Sequence, residues 1–241
     1  MEKCIMALPV LNEAPKYQMN IPSTGQTVRF RPFLVKEEKV MMVAMESENP
    51  SDILNTVTDT ISACVIDELD TSKLTTFDVE YCFLQVRAKS VGESVMLAPA
   101  CESCEHKNEV KVMIDDIKID IPKVDNLIKI DDNISVEMHW PTYKEVMKQN
   151  IIGTENQVDQ IFTLIRTCIA AIQTPEERFA ASDHSAEEMN AFIESMNTEQ
   201  FGKIQEYVEA MPRLTHDIKF NCSNCGTANT LTLEGMQSFF S

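Results

Sequence analysis

The sequence predicts an α+β fold, because helical and strand-like patterns alternate along its 241 residues. Apolar residues recur at helical spacing in several segments, and in others they alternate with polar residues as in half-buried strands. Two Cys-x2-Cys pairs lie between strand-like segments in distant parts of the chain. We therefore expect an N-terminal strand with helices, and a zinc-ribbon-like β module that a helical insertion splits.

The N-terminal part of the sequence predicts an arm followed by a short strand. Residues 1–26 contain three prolines that interrupt regular structure, so we expect an extended arm there. The segment TVRFRPF then alternates Val28 and Phe30 with polar residues, which is the period of a half-buried strand. Arg29 and Arg31 are expected to point away from this apolar face.

Three helices are predicted after this strand. The segment VKEEKVMMVAMES is helix-like, with Lys36 and Glu37 at its start. The segment SDILNTVTDTISACVID follows, with Ser51 as its candidate N-cap and apolar residues on one face. The segment TTFDVEYCFLQVRAKSVG carries apolar residues at helical spacing and is expected to stop at Gly92.

The second half of the chain predicts two strands and then a helical region. The strand-like segments NLIKI and ISVEMHW are joined by an Asp-Asp-Asn turn. The segment NQVDQIFTLIRTCIAAI has a wide apolar stripe and predicts one helix over residues 156–172. Two more helices follow, one with Ser185 and Glu188 in capping-box register and one with Thr198 as its expected N-cap.

These elements divide the sequence into four segments. We expect an extended arm over residues 1–26, and a lobe of one strand and helices over residues 27–95. The zinc-ribbon-like β module is expected to form from residues 96–140 and 213–241. Residues 141–212 are expected to form the helical insertion between its two halves.

The charge and hydropathy of the chain argue against nucleic-acid binding, a membrane span and a secretion signal. Its 38 acidic and 21 basic residues give a formal net charge of −17. Such a surface repels phosphate backbones, so we expect no nucleic-acid partner. We also expect no membrane span, because the sequence has no run of about 18 apolar residues. The N-terminus lacks the basic start of a secretion signal, so none is expected.

Eight cysteines without a secretion signal indicate reduced thiols rather than a disulfide framework. Four of these cysteines stand alone in the sequence. Cys64, Cys82 and Cys168 lie in apolar helical patterns, so we expect them to pack inertly in the core. The fourth, Cys4, lies in the predicted arm.

The other four cysteines form two pairs, Cys101-x2-Cys104 and Cys222-x2-Cys225. Zinc favours thiolate ligands, and a two-residue spacer lets both sulfurs of a pair face one ion. Strand-like segments flank each pair, which resembles a zinc ribbon built from two knuckles. We therefore expect one structural Zn²⁺ per chain, bound by all four cysteines. Because residues 105–221 separate the pairs, such a site would close a long loop and reduce the entropy of the unfolded chain.

Other uses of these pairs remain open. A two-residue spacer also suits redox dithiols, although neither pair opens an obvious helix. A catalytic zinc needs an open coordination position, which four cysteine ligands do not leave. His106 and His216 lie close to the pairs and could serve as ligands or as bystanders.

The sequence carries no catalytic motif, so we expect a protein that is not an enzyme. It contains no phosphate-binding glycine motif, no His-Glu-x2-His motif and no Gly-x-Ser-x-Gly motif. The acidic segments IDDIKID and KIDD are typical of solvated turns rather than of a glycosidase pair or a magnesium site. The residues by themselves predict a protein that acts by binding other proteins and whose fold is held together by a metal ion.

Three segments resemble one known family. They are VRFRPFLVKEEKVMMVAMES, then FDVEYCFLQVRAKSVGESV with the first cysteine pair, and the ending FNCSNCGTANTLTLEGMQSFF. Together they are similar to the T-even-type bacteriophage baseplate hub subunit family. The resemblance runs from about Val28 to the C-terminus.

The resemblance implies a noncatalytic structural or assembly protein of the central baseplate hub of a contractile phage tail. Such a protein is made in the host cytoplasm and either stays in the virion tail or acts only during assembly. Its partners would be other hub or tail proteins, and it could form oligomers within the assembly. The alternative is a zinc-ribbon adaptor or regulatory accessory protein outside the particle. Cell-wall hydrolysis, a third candidate, lacks an acid pair to support it.

Partner contacts are predicted at four basic residues, namely Arg29, Arg31, Arg87 and Lys89. Each of them could instead be solvated or paired within the chain. The acidic remainder of the surface favours basic patches on neighbouring proteins through charge complementarity.

Overall fold

The structure is a computed structural model that describes residues 15–47, 49–117, 119–149, 156–235 and 238. These residues form seven α-helices and ten strands in four antiparallel sheets, which confirms the predicted α+β class. No helix among them is long and apolar enough to cross a membrane. Cys4 and most of the predicted arm lie outside the described residues.

The N-terminal lobe begins with a strand that was not predicted. β1 (Tyr17–Asn20) pairs antiparallel with β2 (Thr27–Phe30), the strand expected from its alternation. The helices α1 (Val35–Glu46), α2 (Pro50–Cys64) and α3 (Thr76–Ser90) follow in the predicted places. β1 was missed because a four-residue strand next to prolines has no distinctive pattern until its partner is known.

The N-cap of α2 differs from the prediction. Its cap is Asn49, whose Oδ1 accepts a hydrogen bond from the Ser51 N–H at 3.0 Å. Ser51 therefore lies inside the first turn. Asn is at least as good an N-cap as Ser, and the proline that follows it suits the first helical turn.

α3 is the central helix, because it contributes to two hydrophobic clusters. Phe83 and Val86 pack in the first cluster with β1, β2 and α2. Leu84 and Ala88, on another side of the same helix, pack in the second cluster. All four side chains are buried.

The second cluster contains two β-hairpins that lie far apart in the chain. One consists of β3 (Ser94–Leu97) and β4 (Val110–Met113), and the other consists of β9 (Thr215–Asn221) and β10 (Ala228–Glu234). Their apolar residues pack against Leu84 and Ala88 of α3. Each hairpin carries one of the cysteine pairs in the turn between its strands.

The chain between the two hairpins contains a four-stranded antiparallel sheet. Its strands lie in chain order as β5 (Leu127–Lys129), β6 (Ser135–Met138), β7 (Ile169–Gln173) and β8 (Arg178–Ala180). β5 and β6, which were assigned to the β module with the cysteine pairs, thus pair with strands from the expected helical insertion. The division into four segments stays a prediction.

Four helices accompany the sheet: α4 (Tyr143–Lys148), α5 (Gln157–Cys168), α6 (Ala186–Glu194) and α7 (Thr198–Glu209). They pack with the sheet around a third hydrophobic cluster, apart from α4, whose Tyr143 belongs to the first.

The single helix predicted over residues 156–172 is wrong at its C-terminal end. α5 stops at Cys168, whose carbonyl oxygen accepts the His139 N–H at 2.8 Å, and Ile169 starts a strand opposite Met138. The apolar stripe fits a helix and a buried strand equally well, and pairing with β6 decides between them.

Side-chain hydrogen bonds identify the N-cap residues of α6 and α7. The capping box of Ser185 and Glu188 is confirmed. The expected cap Thr198 is wrong by one residue, because Asn197 accepts from the Gln200 N–H at 2.9 Å and is the N-cap.

The third cluster meets α3 through three aromatic rings. Trp140 stacks on Tyr207 of α7 with ring centres 6.0 Å apart, and it meets the edge of Phe77 at 5.6 Å. Trp140 Nε1 is buried and has no hydrogen-bond partner among the described residues.

Candidate metal centre

The two cysteine pairs lie in turns of the same construction. We call residues 101–108, CESCEHKN, the first knuckle, and residues 222–229, CSNCGTAN, the second knuckle. In the first, the Cys101 N–H donates to the carbonyl oxygen of His106 at 2.9 Å. In the second, the Cys222 N–H donates to the carbonyl oxygen of Thr227 at 2.8 Å.

The backbone of both knuckles turns through a residue in the left-handed region. Glu105 has a φ of 56° in the first knuckle and Gly226 has a φ of 75° at the same place in the second. Each donates its N–H to the carbonyl oxygen of the first cysteine of its knuckle, at 2.8 and 2.9 Å. A glycine adopts this conformation without strain, whereas a glutamate does not.

The turns bring the four predicted cysteines together. Their Sγ atoms all lie within 4.8 Å of one another. Two separations between the knuckles are 3.7 Å, from Cys101 to Cys225, and 3.6 Å, from Cys104 to Cys222. A tetrahedral ion with metal–sulfur bonds of about 2.3 Å sets its sulfurs about 3.8 Å apart. The group could therefore hold one metal ion.

The burial of the sulfurs leaves the site closed on one side. The first cysteine of each knuckle, Cys101 or Cys222, is buried, and the second lies nearer the surface. Among the described residues the group includes no histidine. His106 is exposed and His216 lies on β9, so the structure places neither of them among the four sulfurs.

Two asparagines connect the knuckles to each other. Asn229 accepts the Glu102 N–H at 3.0 Å and donates to Cys101 Sγ at 3.6 Å. Asn108 accepts the Ser223 N–H at 2.8 Å and donates to Cys222 Sγ at 3.8 Å. Each is buried and also donates to a carbonyl of its own knuckle at 2.8 Å.

Sequence reasoning missed both asparagines. The signal that could have found them is the repeat Cys-x2-Cys-x3-Asn, which occurs in both knuckles. Such residues orient the ligands of a metal, because a hydrogen bond to sulfur fixes the thiolate and moderates its charge.

The pKa values of Cys104, Cys222 and Cys225 are shifted in different directions. Backbone hydrogen bonds from Cys225 and Asn224 lower the pKa of Cys222 to about 6, against the effect of burial. The Thr227 hydroxyl lowers the pKa of Cys225. A backbone hydrogen bond from His106 would lower the pKa of Cys104, but the neighbouring sulfurs and burial raise it to about 11. Four thiolates at this spacing therefore need a cation to balance their charge.

The geometry gives the redox alternative little support. Both knuckles lie in hairpin turns, and neither stands at a helix N-terminus, where a thiol becomes reactive. The isolated thiols are packed as predicted, since Cys64, Cys82 and Cys168 are fully buried. Burial raises the pKa of all three, to about 11 for Cys64 and about 12 for Cys168.

Two predicted partner residues form ion pairs within the chain. Arg29 Nη2 lies 2.6 Å from Oδ1 of Asp67. Arg31 donates to Glu37 Oε1 and to the Ala63 carbonyl oxygen, both at 2.9 Å. Arg29 points away from the apolar face of β2, as predicted. Arg31 follows the strand and is partly buried, with Nη1 3.8 Å from Cys64 Sγ.

The other two predicted partner residues lie near the end of α3. Burial lowers the pKa of Arg87, which is half-buried. Lys89 Nζ donates to Glu93 at 2.5 Å and lies 5.6 Å from the ring centre of Tyr17. The role of all four residues in binding a partner stays a prediction.

One comparison with known proteins gives a match. A family model described as T4 bacteriophage base plate protein matches residues 14–241. This range includes both knuckles and every helix and strand described above. No curated protein and no solved structure matches the chain.

Proposed function

Because the chain belongs to the T4 bacteriophage base plate protein family, we propose that it is a noncatalytic structural or assembly protein of the central baseplate hub. One structural zinc ion, bound by Cys101, Cys104, Cys222 and Cys225, closes the fold. The protein acts through contacts with other hub or tail proteins after its synthesis in the host cytoplasm.

The observation that carries the zinc proposal is the convergence of four sulfurs from two matching knuckles. A tetrahedral set of four thiolates suits zinc, and the main competitor for such a set is iron. Four protein ligands leave no position for water or substrate, which makes the ion structural rather than catalytic.

The zinc ion joins two hairpins that also meet through apolar packing and through the hydrogen bonds of Asn108 and Asn229. β3–β4 and β9–β10 share the second cluster, and the knuckles cap both hairpins at one end. The ion holds these ends together and closes the loop of residues 105–221. Removing it leaves the apolar cluster and the asparagine hydrogen bonds, but it takes away the four metal–sulfur bonds that close the loop.

The metal proposal is tested by measuring the metal content of protein purified under reducing conditions. We expect about one zinc per chain, and loss of the zinc and a lower Tm in both Cys101→Ser and Cys222→Ser. His106→Ala and His216→Ala are matched controls that should keep the metal. Protein with no metal, or with iron in place of zinc, contradicts the proposal.

The hub proposal rests on the family match together with the resemblance of three segments to hub subunits. A phage with a premature stop codon early in this gene should assemble baseplate wedges that do not gather around a hub. An affinity tag on the protein should recover other hub proteins from infected cells. If baseplates form normally and the tag recovers only non-tail proteins, the alternative of an adaptor outside the particle replaces the hub.

Partner binding by basic residues remains part of the proposal. Arg29 is the best placed of the four predicted residues, because its side chain is 55% exposed even while paired with Asp67. Charge reversal at Arg29 and Arg31 should weaken recovery of hub partners. An unchanged recovery by a variant that still folds rejects this part alone.

A further inference from the structure

α1 exposes apolar residues that a surface helix normally buries. Val35 is 79% exposed, and Met42 and Val43 are each 60% exposed. Leu34, just before the helix, and Val40 and Met45, on its two flanks, are exposed as well. A concentration of apolar side chains on one exposed helix marks an interaction site.

The orientation of α1 is held by polar contacts. Its buried residues are Glu37 and Ala44. Glu37 accepts the Leu34 N–H at 2.8 Å and the Arg31 guanidinium at 2.9 Å. The bond to Arg31 and the burial of Glu37 and Ala44 turn this side of α1 inward, so the opposite side, with Met42 and Val43, faces solvent.

Two opposite charges flank the apolar centre of this outward side. Lys39, Met42, Val43 and Glu46 follow the spacing i, i+3, i+4 and i+7, which places them on one side of the helix. Lys39 and Glu46 are exposed and form no ion pair with any described residue of the chain. They stand about 10 Å apart along the axis, too far to pair with each other.

We propose that α1 packs antiparallel against α1 of a second copy of this chain. The two-fold axis passes between Met42 and Val43, so Met42 of each copy contacts Val43 of the other. Lys39 of each copy then lies opposite Glu46 of the other. The contact is isologous, with the same four residues used on both sides. The inference goes beyond the proposed function and does not depend on it.

Charge complementarity identifies the occupant as a second copy. An antiparallel arrangement around this axis pairs Lys39 with Glu46 twice, whereas a parallel arrangement would place like charges together. Antiparallel helices also bring opposite ends of their dipoles together. The net charge of −17 on each copy opposes association, but at about 0.15 M salt it is screened beyond about 8 Å.

The test is the oligomeric state of the full chain, measured by analytical ultracentrifugation at about 0.15 M salt. Wild-type protein should form a dimer. Lys39→Glu and Glu46→Lys should each weaken the dimer by about tenfold or more, because each variant places like charges opposite each other. Val158→Glu, which changes an apolar residue of α5 that is 59% exposed, is the matched control and should leave the dimer unchanged.

Charge exchange makes the result specific to this geometry. An equimolar mixture of the Lys39→Glu and Glu46→Lys chains should form a heterodimer, and the chain with both substitutions should recover the homodimer. Circular dichroism confirms that each variant is folded. A chain that stays monomeric at all concentrations overturns the proposal. This holds even if the monomer binds another tail protein through α1. The proposal is also overturned if the single, mixed and double variants all dimerise as strongly as the wild type.

Discussion

Asn108 and Asn229 occupy the same position in the two knuckles, and each donates to the first cysteine of the opposite knuckle. The site is thus two copies of one turn, interlocked by a pair of buried amides. This arrangement means that neither knuckle has all its hydrogen bonds when the other is absent.

Removing either amide should weaken both the fold and the metal site. Asn108→Ala or Asn229→Ala leaves a partly buried backbone N–H and a sulfur without their amide partner, which should lower the free energy of unfolding by about 1–3 kcal/mol. Metal affinity should fall by about 10–100-fold. Denaturant unfolding and titration with a competing chelator measure the two effects.

The matched control for these variants is Asn224→Ala. Asn224 also donates to a cysteine, Cys104 at 3.6 Å, but it is exposed. Its loss should cost much less, because water replaces the lost partner. Equal costs at all three positions would show that burial of the amides is irrelevant.

The left-handed residues of the knuckles should respond oppositely to substitution. Glu105→Gly should stabilise the protein by about 0.5–1 kcal/mol, because it relieves the strain at a φ of 56°. Gly226→Ala should destabilise it by about 1–2 kcal/mol through the backbone alone. A Cβ at Gly226 meets no atom within 4 Å, so steric overlap does not contribute.

Gly202→Ala controls for the substitution itself. Gly202 lies within α7, and a Cβ there also has open space, so alanine should stabilise the helix by up to about 1 kcal/mol. Thermal unfolding compares the three variants. A neutral Gly226→Ala would contradict the strain argument.

The pH dependence of stability should include a contribution from Glu37. Burial by itself raises the pKa of this carboxyl, but hydrogen bonds from Arg31 and the Leu34 N–H outweigh burial and lower the pKa. A lowered pKa gives stability that is present above the ordinary value of about 4.3 and is lost as the pH falls through the folded-state pKa.

Glu37→Gln should therefore cost about 1–2 kcal/mol at pH 7, and the difference from wild type should shrink below about pH 4.3. Urea unfolding at a series of pH values measures the difference in free energy of unfolding between wild type and variant. Effects of pH that are common to both proteins cancel in this difference. Glu38→Gln, exposed in the same turn, should cost little at any pH. A difference for Glu37→Gln that is independent of pH would argue against the ionic contact.

Trp140 should report on the contact between α3 and the third cluster. It is the only tryptophan in the chain, so its fluorescence is unambiguous. Phe77→Ala removes a buried ring at its edge and should cost about 3–5 kcal/mol while shifting the emission. Phe179→Ala, which removes a ring outside this stack, should leave the emission unchanged.

The convergence of the four cysteines could be predicted from the sequence because metal-binding chemistry depends on residue type and short spacing. Cys101 and Cys104 can face one ion wherever the second pair comes from. The asparagines were missed because amides have many roles, and only the folded knuckles show that Asn108 reaches the opposite cysteine.

The sequence predicts those helices and caps that depend on local residue pattern. It does not predict element boundaries that depend on pairing with a strand elsewhere in the chain. α3 and the Ser185 cap follow from helical spacing and cap chemistry. The end of α5 at Cys168 depends on β6, which lies elsewhere in the chain. The orientation of α1 depends on Arg31, so the pattern predicts the helix but not its exposed side.

The long separation of the knuckles has a consequence for synthesis on the ribosome. At about 5–20 residues per second, translation of residues 105–221 takes on the order of ten seconds. During that time the nascent chain carries Cys101 and Cys104 as half of a site. In the proposed site, an ion can be bound by all four cysteines only after Cys225 has left the exit tunnel. A chain released early lacks the second knuckle, so the proposed zinc site would bind its ion through four sulfurs in finished chains alone.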